Sequence, residues 1–179
     1  MTRRLCIWLP DWPTQRRAVA AKKAAVKGDT GPNAKFEHDA KFEHDANIHG
    51  DEKLAARLDG EAIGLLAARL QRDLIPKIAI ETIDDQPWAG WPHRAESIVA
   101  DLAGVDHLFG GEVGLVDAIA KRLDRYDLRS HLAVADTTAA AWAVAHHDTD
   151  PRRIVAPGRT REAIEPLPPT SLRLSPDTI

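Results

Sequence analysis

The stretch that decides the fold is RLCIWLPDWP, Arg4 to Pro13, close to the N-terminus. Its first part, Leu5–Leu9, is wholly apolar, and a segment with two prolines, Asp11 and a second tryptophan follows it. A short apolar run bounded by turn residues is typical of a strand that is covered on both faces. We therefore predict a buried first strand, followed by a turn in which Asp11 bonds to backbone N–H groups ahead of a helix capped by Thr14.

The chain then changes from a helical pattern to a polar, repetitive one. Thr14–Val26 is predicted to be a helix, whereas residues 28–50 hold a Gly-Pro pair and an exact tandem copy of KFEHDA. No apolar face recurs there, so we predict a flexible insert. Its imidazoles and carboxylates suit a transition metal, but exact repetition favours a duplicated, solvated loop. The side chains concerned are His38, His44, His49, Glu37, Asp39, Glu43 and Asp45.

From Asp51 to Pro76 the apolar residues recur at three- and four-residue spacing, which predicts an amphipathic helix. The predicted apolar stripe consists of Leu54, Leu58, Ala62, Leu65, Leu66, Leu70 and Leu74. Two strands follow, at Ile78–Ile83 and Ser97–Leu102, and they are close enough in sequence to pair as a hairpin. A turn-rich connection, Asp84–Arg94, joins them.

The second half of the chain repeats the alternation of helix and strand. A helix is predicted after Gly110–Gly111, with a stripe formed by Leu115, Ile119, Leu123 and Tyr126. A strand at His131–Ala135 leads into a helix that Asp136, Thr137 and Thr138 can cap. A last strand is predicted at Arg152–Ala156, before a proline-rich tail. The order predicts an α+β fold, a ferredoxin-like βαββαβ arrangement with a mixed sheet and helices packed on one face.

Composition limits the function classes. The formal net charge of −3 carries no global signature of a nucleic-acid-binding protein. Cys6 is the single cysteine, which excludes an internal disulfide and a thiolate zinc cluster and fits a reducing cytoplasm. The apolar run that ends at Leu9 is too short for a signal peptide or a membrane span. We therefore expect a cytoplasmic protein without membrane contact.

Two further groups of residues each allow a functional and a structural interpretation, and a third is interpreted as structural only. The tryptophans could stack on bases, although core packing is the commoner role; they are Trp8, Trp12, Trp88, Trp91 and Trp142. Basic residues near the N-terminus could bind phosphates or form a solvated face; they are Arg3, Arg4, Arg16, Arg17, Lys22, Lys23 and Lys27. His107 and Phe109 are predicted to belong to a structural turn, with Gly110–Gly111 providing backbone freedom.

Four stretches together resemble the Y-family DNA polymerases, and among them the ImuB-type, UmuC-like proteins. They are RRLCIWLPDWPTQRR (3–17), ADLAGVDHLFGGEVGLVDAIAKRL (100–123), LAVADTTAAAWAVAHH (132–147) and PLPPTSLRLSPDTI (166–179). The resemblance implies a polymerase palm. It divides the chain into a first palm strand and basic helix (1–27), the insert in place of the fingers (28–50), the remaining palm (51–156) and a Pro-rich linker resembling the start of a thumb (157–179). It therefore predicts a truncated palm that lacks most of the fingers.

The resemblance also predicts that the catalytic groups have been replaced. The two metal-binding acids of the first strand fall on Trp8 and Pro10, and the paired acids of the hairpin strand fall on Glu96 and Ser97. The lysine that binds the triphosphate falls on Trp142. Among the nearby acids Glu96, Asp101 and Asp106, a rebuilt one-metal site is disfavoured because Glu96 and Asp101 are five residues apart and would point to opposite faces of a strand.

We therefore predict no catalytic residue, no metal and no cofactor. By resemblance, the chain is a non-catalytic accessory or assembly module in DNA repair, translesion synthesis and damage-induced mutagenesis. Its expected partners are an error-prone DNA polymerase and other repair proteins, with DNA bound weakly or through a partner by residues that the sequence does not identify. Two alternatives stay open: a truncated remnant without activity, and an active nucleotidyltransferase in which Asp11 and Glu96 converge on a metal.

Overall fold

The computed structural model describes residues 2–12, 48–81 and 96–173, with side chains from Gly60 onward in the second range. The described strands are β1 (Arg4–Trp8), β2 (Ile78–Glu81), β3 (Ser97–Asp101), β4 (His131–Ala135) and β5 (Arg152–Ile154). The helices are α1 (Ile48–Asp73), α2 (Glu112–Asp124), α3 (Thr138–His147) and α4 (Thr160–Ile164). Short 3₁₀ turns occupy Asp106–Phe109 and Pro169–Leu172.

The strands form one five-stranded mixed sheet in the order β2-β3-β1-β4-β5. Strand β1 is central and antiparallel to both neighbours, so that Trp8 lies opposite Ser97 on one side and His131 on the other. β2 and β3 pair antiparallel, as the predicted hairpin requires, and β5 adds parallel to β4. The predicted α+β class is confirmed. The order of the first four strands, β4-β1-β3-β2, is that of a split βαβ unit.

One face of the sheet carries the larger core. Leu5, Ile7 and Leu9 are fully buried on this face, since alternate residues of a strand point the same way. They meet the inner faces of α1 and α2, which contribute Ile63, Leu66, Ala67, Leu70, Leu115, Val116, Ile119, Ala120 and Leu123. Helix α1 connects β1 to β2 and helix α2 connects β3 to β4, and these two helices share one face as predicted.

The opposite face is covered as well, which corrects the prediction that the helices pack on one face only. Cys6, Ala133 and Ala135 form a second core with the inner side of α3. The inner residues of α3 are mostly alanines, and small side chains let a helix approach a sheet closely. The wholly apolar run Leu5–Leu9 predicted a strand covered on both faces, and that interpretation is confirmed.

Helix α1 begins at Ile48, three residues before the predicted start at Asp51. Its described inner face is Ile63, Leu66, Ala67 and Leu70, all buried. Leu65 is 65% exposed, so its place in the predicted stripe is wrong. These four residues recur at the three- and four-residue spacing of a helix. The buried stripe therefore includes Ile63, which was not predicted, and excludes Leu65. Of the other stripe residues, Leu54 and Leu58 lie outside the described side chains.

The prediction that residues 157–179 form an unpacked linker is wrong over the described part of that segment. Helix α4 occupies Thr160–Ile164, and Ile164 and Leu167 pack against the second core. Ser171 is buried in the following 3₁₀ turn. Prolines excluded a long helix here, but they did not prevent apolar residues between them from contacting the sheet. Residues 174–179 lie outside the described part.

The HLFGGEVG segment forms the predicted structural turn before α2. Gly110 and Gly111 have φ values of 76° and 106°, a region that favours glycine. A Cβ on Gly114 would lie 1.9 Å from the carbonyl oxygen of Phe109. The motif therefore needs glycine at all three positions, two for backbone conformation and one for a close backbone approach.

Several predictions fall on residues that the structure does not describe. They are the helix at Thr14–Val26, the KFEHDA insert up to residue 47 and the connection at Asp84–Arg94. Among the described residues, no helix is both long enough and apolar enough to cross a bilayer.

Candidate functional site

A stack of three rings lies at one end of the sheet, on the face that α3 covers. The ring of His146 lies 4.5 Å from the Trp8 ring and 4.0 Å from the Trp142 ring, centroid to centroid, with interplanar angles of 25° and 23°. His131 on β4 meets Trp8 edge-on at 5.3 Å. We call Trp8, His146 and Trp142 the aromatic stack.

The positions of the stacked residues follow from helix and strand geometry. Trp8 is the last residue of β1 and points to the same face as Cys6, two residues before it. Trp142 and His146 are four residues apart on α3, a spacing that places two side chains one above the other. Thr137 begins this helix by accepting a hydrogen bond from the Ala140 N–H, as the predicted cap requires.

Hydrogen bonds determine the protonation of His146. Its Nδ1 lies 2.9 Å from the carbonyl oxygen of Trp142, which can only accept, so Nδ1 carries the proton. Its Nε2 is then the acceptor for the Ser97 hydroxyl at 3.2 Å. The His146 side chain is only 7% exposed. Burial, and to a lesser degree the neighbouring His147 and Arg173, lowers the pKa of His146 to about 3, against the bond to Trp142.

Glu96 joins the stack from the start of β3. Its Oε1 accepts a hydrogen bond from the Trp8 indole at 3.2 Å and lies 3.8 Å from His146 Nε2. Because His146 is neutral at pH 7, the second contact is not an ion pair. At this end of the stack, the Glu96 carboxylate therefore lies beside neutral rings.

Arg173 closes the stack on its other side. Its guanidinium lies 3.9 Å from the centroid of the Trp142 ring and pairs with Glu81 at the end of β2. The Glu81 side chain is 15% exposed, and its Oε2 is buried without a hydrogen-bond partner. Among the aromatic side chains, the indole of tryptophan binds a cation over its ring face most strongly. The four groups Trp8, His146, Trp142 and Arg173 therefore form one continuous stack.

The structure brings together four of the five positions that the resemblance assigned to catalytic groups. Trp8, Glu96, Ser97 and Trp142 all contact His146. The fifth position, Pro10, lies in the turn after β1. Two divalent metals require several carboxylates, whereas Glu96 is the one acid among these positions, and no described residues form a group of three candidate metal ligands. These residues do not fit a two-metal centre.

The other acids that the sequence analysis considered lie elsewhere. Asp11 is in the predicted turn, and its carboxylate pairs with Arg129 at 2.8 Å rather than with the groups around Glu96. Asp101 is four residues from Ser97 along β3, about 13 Å away, and pairs with Arg4 at 2.7 Å. Asp106 lies in the 3₁₀ turn, where its carbonyl accepts from Gly111 N.

Ser97 and His146 form a hydrogen bond of the kind that joins a catalytic nucleophile to its general base, but their environment does not suit that chemistry. Ser97 is 1% exposed in the sheet, so a substrate cannot reach its hydroxyl. A general base works best with a pKa near the operating pH, and the His146 pKa of about 3 is far below it. Cys6, fully buried beneath the stack, is a thiol because burial raises its pKa. The arrangement therefore provides packing and no nucleophile.

Two of the seven predicted basic residues are taken up by ion pairs. Arg3 forms a two-pronged pair with Glu112 at 2.6 and 3.0 Å, bonds to Asp136 at 2.7 Å and donates to the Val155 carbonyl. Arg4 pairs with Asp101. In the described structure the guanidinium groups of Arg3 and Arg4 are therefore paired with carboxylates, and neither of the two interpretations of the basic residues is decided by these contacts. The remaining five basic residues lie outside the described range.

The tryptophans divide between the core and the stack. Trp12 is buried in the larger core, and Trp8 and Trp142 have ring faces covered by His146 and Arg173. Trp12 is thus buried, Trp142 is contacted by His146 and by Arg173, and one face of Trp8 is stacked on His146, while Trp88 and Trp91 are outside the described residues. His146, Glu81 and Arg173 were not predicted from the sequence to belong to the site. The spacing of His146 from Trp142 was the signal that could have found the first of them.

The comparisons with known proteins point to one relative. The chain is 39% identical over 79 residues to the protein ImuB of two strains of Caulobacter vibrioides, NA1000 and ATCC 19089. The chain is a partial homologue of ImuB. The matched region covers 44% of this chain and 17% of ImuB, so the chain spans about a sixth of the curated relatives that it matches. No protein-family model matches the chain, and no solved structure matches it significantly.

Proposed function

We propose that this protein is a non-catalytic, ImuB-like member of the Y-family polymerase-like proteins. Its described core would be a palm without the chemistry of a polymerase. It acts as an accessory or assembly module in DNA repair, in translesion synthesis and damage-induced mutagenesis. Homology to ImuB supports this role, as does the βαββαβ strand order.

The observation that carries the proposal is the convergence of Trp8, Trp142 and the Glu96–Ser97 pair on His146. These are positions at which the resemblance to active palms expects metal-binding acids and a lysine. Metal-assisted phosphoryl transfer depends on charges aimed at the reacting phosphate. Neutral rings in van der Waals contact leave neither the charge nor the space for that chemistry.

The proposed partners are an error-prone DNA polymerase and other repair proteins, with DNA bound weakly or through the partner. Pairing of Arg3 with Glu112 and Asp136, and of Arg4 with Asp101, favours contact through a partner. The described residues carry no stripe of free cations at the N-terminal strand, which direct binding to the phosphate backbone would use.

Primer extension tests the absence of catalysis. The purified protein, with primer-template, dNTPs and Mg²⁺ or Mn²⁺, is expected to add no nucleotide. The control is Glu96→Gln, which removes the one carboxylate of the stack. Incorporation by the natural chain that Glu96→Gln abolishes would contradict the proposal and favour a nucleotidyltransferase, whereas incorporation that both proteins show equally would come from a contaminating polymerase.

A binding experiment tests the accessory role against an inactive remnant. The protein, immobilised, is expected to retain a purified error-prone polymerase from the same bacterium. The matched control is a replicative polymerase from that source. If neither the error-prone polymerase nor primer-template DNA at low salt is retained, the remnant hypothesis is the better one.

A further inference from the structure

The environment of Arg173 is a binding site that the chain fills with its own side chain. The guanidinium carbon of Arg173 lies 3.9 Å from the centre of the Trp142 indole, and the same guanidinium pairs with Glu81. An aromatic face on one side and a carboxylate at the edge are the two groups that recognise a planar, delocalised cation. Trp142 and Glu81 come from α3 and β2, so the tertiary fold and not one local segment creates the slot.

The segment that brings Arg173 there is attached to the body of the protein through side chains. We call residues 165–173 the C-terminal strap. Its backbone N–H groups donate to carbonyls only three or four residues earlier: Glu165 to Arg161, Leu167 to Ile164, Ser171 to Pro168 and Arg173 to Thr170. Among the described residues, the pair of Arg173 with Glu81 is the strap's one ion pair. Leu167 and Ser171 supply its buried contacts.

Two features, the backbone of Arg173 and two unpaired polar atoms, make this closed arrangement less than optimal. Arg173 has a φ of 56°, a left-handed conformation that residues with a Cβ adopt at a cost. Trp142 Nε1 and Glu81 Oε2 are both buried without a hydrogen-bond partner, which is unfavourable for each group. Arg173 engages Glu81 through Oε1, so one acceptor of the slot is left unused.

We propose that Trp142 and Glu81 form a guanidinium-binding slot that Arg173 occupies in cis, and that an arginine side chain of a protein partner takes its place when the strap opens. A guanidinium arriving from outside is free of the backbone constraint on Arg173 and can pair with both oxygens of Glu81. Arg173 is then a latch: it fills the slot in the free protein and yields to a competing arginine. The inference does not depend on the proposed role in DNA repair.

Emptying the slot tests its specificity. In Arg173→Ala, N-acetyl-L-arginine amide is expected to shift the indole N–H signal of Trp142 in a saturable way, while N-acetyl-L-lysine amide at the same concentration causes a much smaller shift. The natural protein, whose slot is filled, is expected to bind the arginine compound at least about tenfold more weakly. Arg173→Ala/Glu81→Gln is expected to lose the binding. Equal shifts with arginine and lysine, or binding that survives Glu81→Gln, would overturn the proposal.

Hydrogen exchange of the full chain tests the latch without emptying the slot. Glu81→Gln is expected to increase exchange in residues 165–173 by about tenfold or more, since the strap's ion pair is lost, while residues 131–147 keep their protection. The matched control is Glu162→Gln, which removes the exposed pair of Arg159 and Glu162 on α4 and is expected to leave the strap unchanged. Unchanged exchange of the strap in Glu81→Gln, or equal exchange in both variants, would overturn the latch even if Arg173→Ala fails to fold.

Discussion

His146 donates its Nδ1–H to the carbonyl of Trp142 at 2.9 Å, and its ring also stacks on the indole of that same residue at 4.0 Å. The two contacts hold the imidazole in one tautomer and one orientation. They orient Nε2 toward the Ser97 hydroxyl on the sheet. One turn of α3 thereby links the helix to the first residue of β3.

Replacing His146 is expected to separate its packing role from its hydrogen-bonding role. His146→Ala removes a buried ring and leaves the Ser97 hydroxyl unpaired, at a cost of about 3 kcal/mol. His146→Phe keeps a ring between the two tryptophans and is expected to cost about half as much. Urea unfolding measures both losses of stability, from the shift of the unfolding midpoint at an unchanged m-value. Equal losses in the two variants would show that the ring contacts contribute little.

The stability of the protein is expected to fall as the pH drops through the range in which free histidine titrates. The pKa of His146 is lowered to about 3 in the folded protein, against 6.5 for a free histidine side chain. Its neutral form therefore stabilises the fold fully above pH 6.5, and this contribution is lost as the pH falls from 6.5 towards 3. His131 and His147, whose pKa values are also lowered by burial, act in the same direction.

The window from pH 7 to pH 5 separates the titration of the histidines from that of Asp101 and Asp136, which have lowered pKa values and stay ionised throughout it. The free energy of unfolding of the natural protein is expected to decrease over this window by about 2 kcal/mol. His146→Phe, which cannot take up a proton at this position, is expected to show a clearly smaller slope. An identical slope would assign the pH dependence to other groups.

Arg3 is expected to be the most sensitive charged residue of the described part. Its side chain is 10% exposed and joins β1 to the start of α2 and to the residue after β4. Removing one member of a buried ion pair leaves its partner charge uncompensated, so Arg3→Met is expected to cost about 3 kcal/mol. Arg3→Lys keeps the charge but not the two-pronged geometry and is expected to recover part of the loss.

The control for Arg3 is Arg159→Ala, which breaks an exposed pair with Glu162 three residues along α4. Pairs of this kind contribute about 0.5 kcal/mol or less. Chemical denaturation of the three variants side by side provides the comparison. If Arg3→Met were no more destabilising than Arg159→Ala, the network around Arg3 would not be a stability determinant.

Two glycine-to-alanine substitutions in helices are expected to have opposite effects. Gly114→Ala places a Cβ 1.9 Å from the Phe109 carbonyl and is expected to destabilise by about 2 kcal/mol, because the backbone of the turn must move. Gly60→Ala in α1, where nothing lies within 4 Å of the added Cβ, is expected to stabilise by about 0.5–1 kcal/mol through helix propensity. Thermal unfolding of both variants measures the two effects. Stabilisation by Gly114→Ala would mean that the Phe109 carbonyl does not approach Gly114 as closely as described.

Cys6 is expected to be inert in the folded protein. It is fully buried in the second core, and burial raises the pKa of its thiol. A thiol reagent such as dithionitrobenzoate at pH 8 is expected to react only on unfolding, so the labelling rate should rise in parallel with unfolding in urea. Rapid labelling without denaturant would show that α3 detaches from the sheet on its own.

Much of the local structure was predictable, since it depends on patterns within single segments. The strand at Leu5–Leu9, the strand at His131–Ala135, the β2–β3 hairpin and the helix after Gly110–Gly111 are present as predicted. The boundary errors are small: α1 begins three residues earlier than predicted. The placing of Leu65 in the apolar stripe failed because Leu65 and Leu66 are neighbours, and spacing alone does not choose which of two adjacent leucines faces the sheet.

By itself, the sequence of this protein determined the order of its strands and helices and its α+β class. Tertiary structure decided that α3 covers the second face, that the strap returns to the sheet, and that His146 joins Trp8 to Trp142. It also decided that Arg3 and Arg4 face carboxylates from distant segments. The physical reason is range: periodicity and capping act over a few residues, whereas the partners of a buried charge or ring are chosen by how separate elements pack.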